Sequence, residues 1–258
     1  MTGDAARRRS AQQGTGTRRM IVARRCPTTP VGVLERSEQV YRFAYLETVL
    51  RIDGFRPLVG FPDVQRRYQR ENLFHLFAQR AMSPRRPDYL RYVAELGLTP
   101  EEHEPWELLA RSHGTREVDR LQLLPVPEVI GGTVVHPFLV HGTRNAPGSP
   151  EERERTIRGL TVGERLQLVA EPNNEANPAA VLVTTEDGAV LGWVPDLLLR
   201  DLHRVTVRAD VETRVLRANG PDAPAHLRVL AELAASGLGD FEFFRGSEWR
   251  TVPESLGQ

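Results

Sequence analysis

The sequence predicts an α+β protein in which a mixed strand and helix N-terminal domain precedes a small β-barrel with capping helices. Three observations carry this. Apolar residues recur at helical spacing between residues 64 and 109, whereas from Gly131 onward short β-rich runs alternate with tight turns. The length, 258 residues, suits two ordinary domains. The 40% apolar and 26% charged fractions are those of a soluble globular chain, and no run reaches the roughly 18 apolar residues of a membrane span.

Residues 1–19 carry Arg7, Arg8 and Arg9 among Gln, Gly and Thr with almost no apolar content, and read as a disordered basic leader. The rival reading of this leader is a phosphate-contacting tail. Ile21-Val22-Ala23 reads as a first strand, and translation is expected to begin at Met20. The first domain, residues 20–130, continues with strands at Val31 to Leu34 and Gln39 to Tyr45. A helix is expected from Val64 to Ala81, with Asp63 as its N-cap and Leu73, Leu76 and Phe77 on one face. A second helix runs from Pro87-Asp88 through Leu96, stopped by Gly97. Thr99-Pro100-Glu101-Glu102 has the order of a capping-box start for a third, covering Trp106, Leu108 and Leu109.

The barrel domain, residues 131–236, has strands expected at Val134 to Val140, Arg165 to Ala170, Ala179 to Thr185 and Ala189 to Val194. Glu186-Asp187-Gly188 is the hairpin turn between the last two. Pro195-Asp196 opens a helix, Val205 to Leu216 alternates as a strand with one wet face, and Ala225 to Ala235 reads as a final helix. Short strands, tight turns and a capping helix suggest a closed barrel. The tail, residues 237–258, is expected to pack back through Phe241, Phe243, Phe244 and Trp249.

All 34 basic residues are Arg, balanced by 34 acids. Abundant Arg by itself does not indicate nucleic-acid binding, so its distribution matters more. Residues 1–30 have a net charge of +6, residues 31–130 of −1 and residues 131–258 of −5. One stretch stands out: within residues 66–91, seven Arg face only Glu71 and Asp88. Arg66, Arg67, Arg70, Arg85 and Arg86 therefore form a candidate surface for a nucleic-acid backbone, the alternative being a solvated helix face.

Several chemistries lack their residues. Without Lys there is neither a P-loop nor the lysine that kinases set on phosphates. The seven His show no HExxH spacing, Cys26 is the sole cysteine, and no carboxylate cluster has the spacing of a metal-dependent nuclease. No catalytic residue, metal or cofactor is expected. With one cysteine and no signal-peptide core, the cytoplasm is the default compartment.

Four separated motifs remain: Phe138-Leu139-Val140-His141-Gly142-Thr143-Arg144, Gly159 to Leu168, Glu171-Pro172-Asn173-Asn174 to Val181, and Gly192-Trp193-Val194-Pro195. Their order and spacing resemble the HIRAN domain, found in some DNA-repair helicases and in stand-alone bacterial proteins. The resemblance spans residues 132–217. Val31 to Leu34, Tyr41 to Tyr45 and Phe55 through Arg80 are similar to the N-terminal segment of HipA-type toxin kinases, with no kinase domain following. The HIRAN resemblance implies a barrel that grips the 3′ end of single-stranded DNA. There, an Arg and an aromatic residue position the end, and an Asn and an Asp bind the terminal nucleotide. By position these are Arg144, Asn145, Asn174 and Asn177. Asn145 departs from the aromatic partner and so removes a stacking platform worth roughly 1–3 kcal/mol per base. Asn177 departs from the carboxylate and removes charge assistance.

Each candidate has a plainer alternative. Asn173, Asn174 and Asn177 read base edges or simply shape a turn. Trp193 stacks a base or plugs the barrel as core. Arg144 clamps a phosphate or pairs with one of Glu151, Glu152 and Glu154. The expected function is a nucleic-acid-binding accessory module for single-stranded or end-bearing DNA, in repair or phage defence. The alternative is a protein-interaction module docking a partner through the HipA-like half.

Overall fold

In the computed structural model, the residues described are 17–253 except 39, 100, 102, 103, 117 and 118. β1 (Arg18–Arg24), β2 (Thr29–Ser37), β3 (Val40–Tyr45) and β4 (Tyr68–Arg70) are followed by α1 (His75–Ala78), α2 (Tyr89–Glu95), α3 (Pro105–Ser112) and β5 (Leu121–Pro125). The chain continues through β6 (Val129–Ile130), β7 (Thr133–Leu139), α4 (Pro150–Gly159), β8 (Arg165–Ala170), β9 (Val181–Thr185) and β10 (Val190–Trp193). It ends with α5 (Asp196–Thr206), β11 (Val211–Ala218) and β12 (Val229–Ala235). The fold is α+β. The strands form two antiparallel sheets, in the orders β4-β3-β2-β1-β5 and β10-β9-β8-β11-β12-β7-β6. No described helix is long and apolar enough to cross a membrane.

Beyond the last residue of β7, His141 N donates to the Trp193 carbonyl and Trp193 N to the His141 carbonyl, both at 2.9 Å. These two bonds tie β10, at one end of the second sheet, to the extension of β7 near the other end.

The two segments expected as separate domains share their interior. Ile21, Ala23, Val33 and Leu124 from the first sheet lie in one apolar cluster with Phe138, Leu191, Val229 and Phe241. Asn219, buried in the turn after β11, donates to the Glu95 carbonyl at 2.8 Å and so fastens α2 to the second sheet. The tail packs back as expected: Phe241, Phe243 and Phe244 are buried, and Val252 N donates to the Tyr45 carbonyl at 2.8 Å.

Several expectations are overturned. The helix from Val64 to Ala81 is replaced by β4 and the four-residue α1. The aromatic residues decide this, because Phe61, Tyr68 and Phe77 all pack around Phe43, with ring centroids 4.4 Å apart for Phe43 and Phe61. Tyr68 and Phe77 would lie on opposite sides of one helix, so a single helical face could not present both to Phe43. Asp63 accepts from Gln65 N at 2.8 Å, an Asx turn rather than a helix cap. The third helix starts at Pro105 behind Glu104, not at Pro100. Pro100 and Glu102 of the expected capping box lie outside the described residues. Ala225 to Ala235 is a short 3₁₀ turn followed by β12, which pairs with β11 on one side and β7 on the other. Helix-forming Leu, Ala and Glu yield here to strand pairing on both edges. Val205 and Thr206 belong to α5, so the following strand starts only at Val211. Arg18 and Arg19 do not belong to a disordered leader, since they pair with Arg36 and Glu35 in the first sheet; residues 1–16 of the expected leader lie outside the described residues.

Candidate nucleic-acid interface

The loop after β7 turns at Gly142, where φ is +69° and a Cβ would come within 2.7 Å of the Trp193 ring. Glycine is required by both the backbone and the ring. Buried Thr143 donates its hydroxyl to the Ala225 carbonyl at 2.9 Å, and Asn145 N donates to the Gly142 carbonyl at 2.7 Å. Arg144 and Asn145 are left exposed at the tip. The plainer alternative for Arg144, a salt bridge to the acidic run, does not form among the described residues. Glu152 caps α4 through Ser149, and Glu154 accepts from Arg158 and Arg228, both at 2.7 Å. Arg144 makes no ion pair among the described residues.

The asparagine loop follows β8. Glu171 accepts from Trp193 Nε1 at 2.7 Å and from Asn174 Nδ2 at 2.6 Å, and these two bonds hold its carboxyl below the usual range. Asn174 Oδ1 accepts from the backbone N–H of Ala176 and of Asn177, both at 3.0 Å. Asn177 accepts from Ala179 N at 3.0 Å and donates to Asp196 Oδ1 at 3.3 Å. Both amides therefore work as turn formers, while Asn173 is exposed. Thr28, in the β1–β2 turn, donates to the other oxygen of Asp196 at 2.8 Å.

Trp193 joins the two loops. Half-buried, it offers its ring to Gly142 and its N–H to Glu171. It thus links the loop of Arg144 and Asn145 with that of Asn174 and Asn177. The sequence motifs single out these five residues but not Glu171, Asp196 or Thr28 as parts of the site. A Trp that needs an acceptor is the one signal pointing to Glu171.

The basic stretch is on other elements. Arg66 stacks over Tyr68 with 5.4 Å to the ring centroid, Arg67 donates to Thr251 at 3.5 Å, and Arg70 lies in the edge strand β4. Arg85 is exposed, and Arg86 pairs with Asp88 at 2.9 Å. Arg80 is no part of a surface: it is buried, donating to the Gly114 carbonyl at 3.0 Å and pairing with Asp119. Arg91 pairs with Glu95 at 3.6 Å. Cations without an ion pair among the described residues thus include Arg66, Arg67, Arg70 and Arg85, and none of these four lies on a helix.

The HIRAN domain family matches residues 135–235. No curated protein matches the chain. Among solved structures, the HIRAN domain of human HLTF is similar at 21% identity, covering 41% of this chain and 78% of that one with a TM-score of 0.28. A protein from Lactobacillus plantarum is similar at 18% identity, covering 40% of this chain and 97% of that one with a TM-score of 0.32. The family match starts in β7 and ends with β12, so it takes in the Arg144 loop, the asparagine loop and Trp193. Residues 135–235 of this chain are a HIRAN domain.

Proposed function

We propose that this chain is a nucleic-acid-binding accessory module for single-stranded or end-bearing DNA, acting in repair or phage defence and catalysing no reaction of its own. The observation that carries this is the joining of the two loops by Trp193, because end binding in HIRAN domains is assigned to those two loops. The reciprocal bonds between His141 and Trp193 support a closed barrel, with both loops at the junction. Arg144, exposed and unpaired, is the cation that meets a phosphate, with Asn145 beside it. Asn174 and Asn177 would have to exchange an internal hydrogen bond for one to the terminal nucleotide, so their contribution is smaller than that of Arg144.

The test is binding of the purified protein to single strands ending in a 3′-hydroxyl or a 3′-phosphate, and to blunt duplex. The expected result is preference for the single strand with a free hydroxyl, weakened about tenfold by Arg144→Gln, as for removal of a charge-assisted hydrogen bond. Equal binding to all three ligands would overturn the reading. A second reading, a protein-interaction module docking through the HipA-like half, is favoured by β4, an edge strand flanked by unpaired arginines. In that case DNA affinity is weak and lacks a steep dependence on salt.

A further inference from the structure

Beside the Arg144 loop, a cleft of about 240 Å³ opens between the loop, α4 and the turn preceding β12, lined by Thr143, Arg144, Arg153, Glu154, Ile157 and Arg228 among others. We propose that this cleft is a phosphate subsite taking one backbone phosphodiester of a bound single strand. This deepens the reading above and rests on it.

The charge balance of the cleft points to an anion. Three guanidinium groups line it with one carboxylate, and that carboxylate is fully engaged: Glu154 accepts from Arg228 and from Arg158. The hydrogen bond from Arg228 is the first cause holding Glu154 below the usual carboxylate range, so it is an anion already neutralised by its own partners. Arg153 is fixed without being neutralised. Its Nη1 donates to the Ala146 carbonyl at 2.8 Å and to the Gly148 carbonyl. Carbonyls orient a guanidinium without forming an ion pair. Of the Glu152 and Glu154 carboxylates, only that of Glu152 feels the Arg153 charge, and it is held by its own cap. Arg144 supplies a second such charge at the rim. Two planar forks without an ion pair, lining a cleft with Pro150, Pro221 and Ala223 in its walls, suit a multi-oxygen anion better than a single carboxylate. The apolar walls lower the local dielectric and strengthen that attraction. A diester is favoured over a free phosphate because Arg144 belongs both to the cleft and to the loop expected to hold a strand end, which makes the two continuous.

The experiment uses the full chain and short single strands, each with one neutral methylphosphonate linkage, walked inward from the 3′ end. One position should lose about five- to tenfold in affinity, with its neighbours little changed. Arg153→Gln and Arg228→Gln should each abolish that positional dependence, and Arg153→Gln should reduce the salt slope by about 0.7. The walk on the unsubstituted protein stands even if Arg153→Gln loosens the loop it supports. Uniform losses, or none, in a protein that still prefers a 3′-hydroxyl would overturn the subsite and leave the end-binding reading intact. A single sensitive position without any preference between 3′ chemistries would support the subsite and overturn end recognition. If inorganic phosphate or thymidine monophosphate binds as tightly as the oligonucleotide and displaces it, the occupant is a free phosphate compound and the strand assignment falls.

Discussion

Gly192 has φ +148°, and a Cβ there would lie 2.2 Å from the His141 carbonyl oxygen, the acceptor of the bond from Trp193 N. Gly192→Ala should cost at least about 2 kcal/mol, read as a lower urea midpoint with unchanged m-value. If the midpoint holds, the His141–Trp193 junction is not rigid. His136 sits buried in β7, and burial first, then the Arg111 charge, push its pKa down to about 3. His113 is likewise pushed well down, mainly by burial. These imidazoles are neutral in the fold and gain protons when the chain unfolds. Their contribution to stability is therefore fully present above the ordinary histidine pKa of about 6.5 and is lost as pH falls through it, at about 1.4 kcal/mol per pH unit for each group. For His136 that window reaches down to about 3. Thermal melts should show Tm dropping from neutral pH toward about pH 5, and His136→Leu should remove part of that slope. A slope unchanged by the substitution would show that other groups set the acid limit.

At the scale of single elements, α4 shows what local signals achieve. Ser149 accepts from Glu152 N at 3.1 Å and its own N–H donates to Glu152 Oε2 at 2.8 Å, a complete capping box with Pro150 next to the cap. Ser149→Ala should cost about 1 kcal/mol, or about 2–4 °C in Tm for a chain of this size. Because α4 carries Arg153 and Glu154, single-strand affinity should fall with it, and unchanged affinity would detach α4 from the interface. The order Ser-Pro-Glu-Glu at residues 149–152 matches Thr-Pro-Glu-Glu at residues 99–102. The first of these patterns caps α4, a helix that the periodicity does not predict. Further along the chain, α3 takes Pro105 as its first residue, a position where the missing N–H costs nothing.

For the molecule as a whole, the shared apolar cluster makes the two halves one folding problem. A chain beginning at Met20 would lose the Arg18–Glu107 ion pair and the first two pairings of β1 with β2. It should lose about 1 kcal/mol of stability, the upper end for a partly exposed pair, and melt correspondingly lower. An unchanged Tm would show that β1 is anchored from Met20 onward. Replacing Arg66, Arg67, Arg70 and Arg85 with Gln should weaken binding to all single strands alike and flatten the salt dependence by about 0.7 for each phosphate no longer neutralised. A constant slope would assign these arginines to another partner.

The sequence alone determined what depends on nearest neighbours along the chain. The strands β2, β3 and β8, the turn at Asp187-Gly188 and the helix stop at Gly97 all follow from local composition and backbone freedom. The family resemblance pointed to Arg144 and Asn145 in one loop, Asn174 and Asn177 in the other, and Trp193 in β10. Tertiary structure decided the rest. It made Leu-Ala-rich β12 a strand, because both its edges are paired. It buried Arg80, which charge counting along the chain had left on a surface, because Asp119 lies within reach. It tied the amides of Asn174 and Asn177 into intramolecular hydrogen bonds, because Glu171, Asp196 and their own backbone stand within reach. Those partners stand up to 19 residues away in the chain, beyond what a local pattern can encode.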